Sequence, residues 1–380
     1  MTTLAAWVFA VSAAWVVWTF VGYPAALWVW SRARGPGRRV AQAAIEPEVV
    51  IVVVVHNESA GIRAKLESCA AQRYPAERLR ILVVSDGSTD ATADAVAAFG
   101  DPRVRWLHFG QRRGKAACVN DALAASGEPI VVLTDARQAL HPDAVRHLVS
   151  NFADPAVGAA SGELMFVLDG ASGFGQGVDA YWRYEKAIRK MEGAIGSVVG
   201  VTGALYALRR EAWTPIPEDT VLDDVLIPMN AVRAGWRVVF EDRAIAYDRP
   251  ANEPARERVR KIRTLAGNFG LVAAHPWLLD PRRNPVFVQY LSHKISRLVA
   301  PLALAGTLVS SAVLAPVHPL FGAALIAQLA LYATPLLGRA WPAAARALPV
   351  RIGTAFVALN WFVVLGFREW LRNRQVHVWR

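Results

Sequence analysis

The sequence predicts an α/β domain set between membrane helices, on three observations. From Glu48 to about Ile245, short β-rich runs alternate with helix-like segments, the pattern of a sheet with several parallel strands. Leu4 to Trp30 contains no Asp, Glu, Lys, Arg or His, a longer run than the ~20 residues that cross a hydrocarbon core. Two of the β-rich runs also end in a carboxylate, Asp86 and Asp135, and the carboxyl ends of such strands are where open α/β sheets bind ligands.

Taken in order, 4–30 is a permanent membrane helix: no Lys or Arg precedes Arg32, so it lacks the basic start of a cleaved signal. A basic linker follows over 31–47, with Arg32, Arg34, Arg38 and Arg39 around Gly35-Pro36-Gly37; by the positive-inside tendency it places the next domain in the cytoplasm, at the inner membrane. The domain occupies 48–250. Its strands are expected at Val49 to Val55, Ile81 to Ser85, Val104 to His108 and Pro129 to Thr134, and its helices at Ser59 to Gln72, Ala116 to Ala125 and His141 to Asn151. An Arg-rich amphipathic region covers 251–297, and C-terminal membrane helices cover 298–367. Leu298 to Val317 and Leu320 to Gly338 read as a helical hairpin, giving two C-terminal spans. The shorter stretch Ile352 to Phe367 makes a third, or an interfacial segment, because basic residues flank it on both sides; crossing is favoured since its core can extend into Leu348-Pro349-Val350. Residues 368–380 form a basic tail.

A hydrophobic content of 54% is high for a wholly aqueous chain, in keeping with this division. The net charge of +11 is mostly Arg near the membrane flanks and between Arg243 and Arg263, which favours a membrane surface over nucleic acid as partner. Neither an aromatic-studded basic strand nor a zinc finger supports nucleic-acid binding. Cys69 and Cys118 stand singly without metal-ligand spacing and read as buried thiols.

Several motifs then occur in a fixed order: Val55-His56-Asn57-Glu58, Ser85 to Asp90, Gly114-Lys115 through Asn120 to Leu123, and Leu133-Thr134-Asp135-Ala136-Arg137. Val201 to Tyr206, Leu222-Asp223-Asp224-Val225 and Arg260-Lys261-Ile262-Arg263-Thr264 follow. Together they resemble the membrane-bound branch of family 2 glycosyltransferases, which includes hyaluronan, chitin and cellulose synthases and ceramide glucosyltransferases. That resemblance implies a GT-A fold, Rossmann-like, for the domain. It also implies an inverting transfer from a nucleotide-diphosphate sugar, UDP-linked by analogy, to a lipid or saccharide acceptor at the membrane, in polysaccharide or glycolipid synthesis.

Each site residue carries a structural alternative. Glu58 and Asp86 suit hydrogen bonds to the nucleotide; otherwise Glu58 starts a helix and Asp86 caps a turn. Lys115 and Asn120, one helical turn apart, would contact the donor; a Lys in front of a helix is otherwise a surface residue. By resemblance Asp135 is the first acidic residue of the metal-binding Asp-x-Asp motif, whose carboxylates hold Mg²⁺ or Mn²⁺ against the diphosphate. Arg137 stands where the second Asp is expected, which weakens the metal cage while offering a direct phosphate contact. Asp224 resembles the catalytic base, with Asp223 either orienting it or capping the helix. Arg260 and Arg263 match the fixed basic positions of the family's Gln/Arg-x-x-Arg-Trp motif, with Thr264 in place of Trp; both would face the diphosphate, unless the helix simply lies on anionic lipid. Gly203 and Ala204 fall on the acceptor side, leaving room for a sugar, and the aromatic segment Tyr181 to Met191 accompanies them. No His is assigned to catalysis. A catalytically silent membrane scaffold is the alternative that Arg137 and Thr264 raise, and a transporter is disfavoured by the large aqueous domain and the charge-free cores of the spans.

Overall fold

The computed structural model describes residues 2–33, 39–167, 173–248 and 254–372, with side chains omitted at 173–181 and 254–257. Arg34 to Arg38 of the expected linker, Arg374 and Arg380 of the expected tail, and the side chains of Tyr181 and Arg256 therefore lie outside the described residues. Helix α1 (Thr2–Ala33) is the first of four helices, among the described residues, long and apolar enough to cross a membrane.

The domain begins with β1 (Val49–Val55), seven consecutive β-branched residues, all buried. A run buried throughout belongs in the middle of a sheet covered on both faces, where period-2 geometry sends alternate side chains into different cores. So it is here: Val50, Val52 and Val54 enter one core, and Val49, Ile51, Val53 and Val55 the other. The next elements are α2 (Ile62–Ala70), β2 (Leu79–Asp86), α3 (Thr92–Ala97), β3 (Val104–Phe109), α4 (Lys115–Ala125), β4 (Ile130–Asp135), β5 (Ala139–Leu140) and α5 (Ala144–Ser150). Helices α2 and α5 cover one face and α4 the other. Strands β1 to β4 pair in parallel, in the order β3-β2-β1-β4. The order reverses direction between β1 and β4, which makes their carboxyl ends the switch point of the sheet.

Beyond β4 the sheet changes character. It gains β6 (Val157–Phe166), β7 (Tyr206–Arg209) and β8 (Arg237–Asp248), with α6 (Gly173–Ile195) before β7 and α7 (Asp223–Arg233) after it. Strand β7 pairs antiparallel with both β4 and β6, while β8 runs parallel to β6 and carries β5 on its far edge. This mixed half was not anticipated as strands, and its glycines show why. A Cβ at Gly158 would lie 2.5 Å from the Trp236 side chain and one at Gly162 2.7 Å from the Ala244 carbonyl, so close approach takes the place of the apolar signature of a strand.

Helix α8 (Pro254–Ala274) leads to the C-terminal membrane helices α9 (Phe287–Leu314), α10 (Pro319–Ala340) and α11 (Leu348–Arg372). Helix α9 starts eleven residues before the expected Leu298, so its first turns carry His293, Lys294 and Arg297. Two of these side chains, His293 and Arg297, are held by the domain. His293 Nδ1 and Nε2 lie 2.9 and 2.8 Å from Glu192 and Glu185 of α6, Arg297 donates to Glu185 at 2.7 Å, and Tyr23 of α1 donates to Glu192 at 2.6 Å. With His293, Glu185 and Glu192 all buried, the pairing is what makes their burial tolerable.

Candidate active site

The carboxyl ends of β2 and β4 deliver Asp86 and Asp135 to one edge of the sheet, but into different surroundings. Asp86 is buried, and its carboxylate accepts the backbone N–H groups of Arg113 at 2.7 Å and Gly114 at 3.1 Å, with Arg112 4.0 Å away. It therefore fixes the loop that ends at Gly114, whose φ of 100° lies in the left-handed region. That loop launches α4 with Lys115 as its first residue.

Lys115 is the central cation of the site. Its Nζ lies 2.7 Å from Asp135 Oδ1 and 3.5 Å from Asp223 Oδ2, joining a residue of β4 to one that opens α7. Burial opposes its charge, but Asp135 and Asp223 outweigh burial and hold its pKa above the ordinary lysine range. Asp223 is buried and does not cap α7, since the cap position is Leu222 without a side-chain bond. Its place beside Lys115 answers the capping alternative.

Asp224, the next residue, has its pKa pushed up to about 6, first by burial and then by the charge of Asp223, with Lys115 and Lys294 pulling the other way. A Cβ on Gly203 would lie 3.1 Å from Asp224 Oδ2, so the glycine clears space against the carboxylate itself. Asp224 also anchors this turn through its backbone carbonyl, which accepts from Val201 N–H at 2.9 Å. Across the site, Arg263 of α8 is close enough to feel Asp135, Asp223 and Asp224; burial lowers its pKa, and these carboxylates partly restore it. Arg260, one turn earlier, adds a like charge. A Cβ at Gly267 of the same helix would lie 2.9 Å from Val221, so α8 rests directly on the turn that carries the acidic pair.

Some expected residues are placed differently. Asn120 does not line the pocket: its amide donates to the Ile216 carbonyl at 2.7 Å and accepts from the Ile216 N–H at 3.1 Å, tying α4 to a distant loop. Ala204 is buried with its carbonyl bound by Thr134 at 2.7 Å, so it belongs to the core beside Gly203 rather than to an open site wall. Arg137 pairs with the buried Asp248 at the end of β8, and its charge reaches Glu58. Glu58 does not begin α2, which starts four residues later at Ile62; its half-buried carboxyl is raised by desolvation, with Arg137 opposing. Thr264 is exposed and bonds back to the Arg260 carbonyl.

Two residues went unassigned from sequence. Tyr206 is fully buried close to Asp223, Asp224 and Asp135, and among the described residues its hydroxyl has no partner; it ends the Val201–Tyr206 motif, which was its only signal. Lys294 reaches Asp224 electrostatically from the first turns of α9, and nothing in its local sequence marks it.

As a metal site, Asp135 offers a partly exposed carboxylate at the mouth of the site, while Arg137 replaces a second acidic ligand. Among the described residues, no group of three or more His, Cys, Asp and Glu side chains could hold an ion by itself. The donor set suits a hard cation held jointly by one carboxylate and substrate phosphates, as is usual for Mg²⁺.

Residues 50–213 match the family model described as Glycosyl transferase family 2. The chain is 33% identical over 171 residues to an N-acetylglucosaminyltransferase of Rhizobium meliloti, covering 44% of this chain and 40% of that one. It is 23% identical over 206 residues to a poly-beta-1,6-N-acetyl-D-glucosamine synthase of Staphylococcus aureus, covering 52% and 49%. The match thus spans less than half the length of each of these relatives. Among solved structures, the mannosyltransferase PcManGT from Pyrobaculum calidifontis, in complex with GDP-Man and Mn²⁺, superposes with a TM-score of 0.74 at 24% identity, covering 96% of this chain and 99% of that one. That likeness extends the shared fold through the membrane helices. Residues 50–213 therefore form a glycosyltransferase family 2 domain with the GT-A fold, joined to helices of membrane length.

Proposed function

We propose that the protein moves a sugar from a nucleotide-diphosphate donor, most simply a UDP-sugar, to a saccharide or lipid acceptor held at the membrane, with inversion at the anomeric carbon. The observation that carries this reading is Asp224, a carboxylate tuned to about 6 at the end of the site away from β2. Near neutral pH it is mostly ionised yet still basic enough to accept a proton, as a general base requires. Asp224 takes the proton of the acceptor hydroxyl as that oxygen bonds to the anomeric carbon and the bond from that carbon to the diphosphate oxygen breaks. The electron pair leaves on the diphosphate.

Lys115 and Arg263 face the side where that charge develops and stabilise it electrostatically; both already sit among carboxylates, so they need little rearrangement. Arg260 lends charge to the same helix face. Asp135 would hold Mg²⁺ or Mn²⁺ against the diphosphate, and the ion would supply further charge neutralisation for the leaving group. Glu58, Asp86 and Arg137 bound the nucleotide side: Asp86 by shaping the Gly114 loop, Glu58 and Arg137 by presenting polar groups at the ends of β1 and β4. Gly203 and Asp223 set the space and charge around the base on the acceptor side. The names of the relatives make N-acetylglucosamine the first sugar to try. A cytoplasmic domain at an inner membrane accords with the basic residues after α1.

Purified protein in native-like lipid, given radiolabelled nucleotide sugars with Mg²⁺ or Mn²⁺, tests the reading. Transfer that disappears in Asp224→Asn supports it, and product length separates polymer from single addition. A silent scaffold, suggested by Arg137 and Thr264, predicts no turnover of any donor.

A further inference from the structure

We infer that α11, although long and apolar enough to span, lies along the bilayer surface on the same side as the catalytic domain, so the chain crosses the membrane three times. The partner of its exposed face is the lipid surface itself. This reverses the expectation that residues 352–367 cross, and it does not depend on the proposed reaction.

The contacts of the membrane helices establish levels within the bilayer. The domain end of α1 is marked by Tyr184 donating to the Phe20 carbonyl at 3.0 Å, and by the Tyr23–Glu192 bond. Eleven residues earlier, about 16 Å along a helix, Phe9 stacks edge-on with Phe321 at 4.9 Å. The start of α10 therefore lies far from the domain. Its 22 residues span about 33 Å, enough for one crossing, so its other end returns to the domain side.

Helix α11 begins there. A Cβ at Gly338 would lie 3.5 Å from Val350, and one at Gly353 would lie 2.7 Å from the Thr334 hydroxyl. Phe356 meets Phe20, at the domain end of α1, with ring centroids 5.0 Å apart. A helix crossing from this point would carry its last three turns to the far face. Those turns instead pack on α8. Lys261 sits over the Phe362 ring at 5.9 Å, a Cβ at Gly366 would lie 2.6 Å from Leu265 and one at Gly270 3.7 Å from Trp370, and Phe367 stands 5.1 Å from Phe269. Since α8 itself rests on Val221 and Leu222, beside the acidic pair, both ends of α11 lie on the domain side.

Its outer face suits that position. Trp361, Val364, Phe367 and Leu371 are exposed with Arg368 and Arg372 among and beyond them, an apolar strip with basic residues that reach headgroups. Helix α11 thus clasps α8, the carrier of Arg260 and Arg263, to the membrane surface.

Single cysteines at Asp94 in α3, His318 before α10 and Arg372 at the end of α11 test this in sealed vesicles of either orientation, using full-length protein and a membrane-impermeant maleimide. The native Cys69 and Cys118 are buried, and the parent protein sets the background. Arg372→Cys is expected to label from the same face as Asp94→Cys and opposite to His318→Cys. Labelling with His318→Cys, or from both faces, would overturn the inference. A fluorescent protein fused after Arg380, scored for protease protection against an epitope inserted at Gly100, gives the same decision without a cysteine: protection of the two together supports three crossings, and protection of one alone refutes them.

Discussion

Neutralising Asp223 is the sharpest probe of the site, because it changes the base without touching it. Asp224 is raised from 3.8 to about 6, with burial the larger cause and the charge of Asp223 the next. With a pKa of about 6, about nine-tenths of the base is ionised at pH 7 and about one-tenth at pH 5, so the rate should fall roughly tenfold between them. In Asp223→Asn the like charge is gone, and Lys115, which pulls the Asp224 pKa down, loses a competing partner. Both changes favour the carboxylate. A displacement on the order of one unit is expected for removing a close like charge, which would leave about half the base ionised at pH 5. The assay is initial rate against pH from 4.5 to 8 at saturating donor, with donor affinity measured at each pH. An acid limb unmoved in Asp223→Asn, or a wild-type limb centred near pH 4, would refute the assignment of Asp224 as a base tuned by its neighbour.

Other outcomes are expected at once. Gly203→Val should crowd Asp224 Oδ2, which lies 3.1 Å from even a single added carbon, and lower turnover at least tenfold while a nucleoside diphosphate binds as before in calorimetry. Asn120→Ala should leave the donor KM within about twofold but remove two hydrogen bonds to Ile216, costing about 1–3 kcal/mol and lowering the melting temperature by several degrees in detergent. Gly267→Val should force α8 off Val221, reducing turnover by an order of magnitude or more without loss of membrane insertion, as judged by carbonate extraction and radiolabel transfer. Lys115→Met should leave Asp135 and Asp223 uncompensated, raising the Asp224 pKa and shifting the acid limb toward higher pH, the reverse of Asp223→Asn.

Half of the fold was legible residue by residue. Strands β1, β2 and β4 are buried and largely apolar on both faces, a pattern little else in a domain produces, and the expected Val49 to Val55 coincides with β1. The mixed half was hidden because β6 builds its pairing around Gly158, Ser161 and Gly162, which carry no strand-like periodicity. Within the site, Asp86, Asp135, Asp223 and Asp224 were readable from their place after β-rich runs or before a helix. What sequence could not assign was the partner of each. Asn120 looked like a pocket residue because it stands one turn from Lys115, yet its bonds go to Ile216, 96 positions away. Lys115 looked like a donor contact, and only the convergence of β4 and α7 reveals the two carboxylates it joins. Arg137 read as an anomaly in a metal motif until β8 brought Asp248 to it.

The buried group of His293, Glu185, Glu192, Arg297 and Tyr23 bears on how the chain is assembled. Glu192 finds Tyr23 169 positions earlier and His293 101 positions later, so this cluster closes only after α9 has been synthesised. Until then two glutamates on α6 await their partners from α9, and the newly made domain has an unfinished underside. Docking of the domain onto the bilayer is thus a late folding event rather than a consequence of the first helix being inserted. For the same reason, cutting the chain just before Phe287 would not release a self-sufficient enzyme. It would strip α6 of His293 and Arg297, the partners that Glu192 and Glu185 find on α9, and the excised domain should be prone to aggregate through that face.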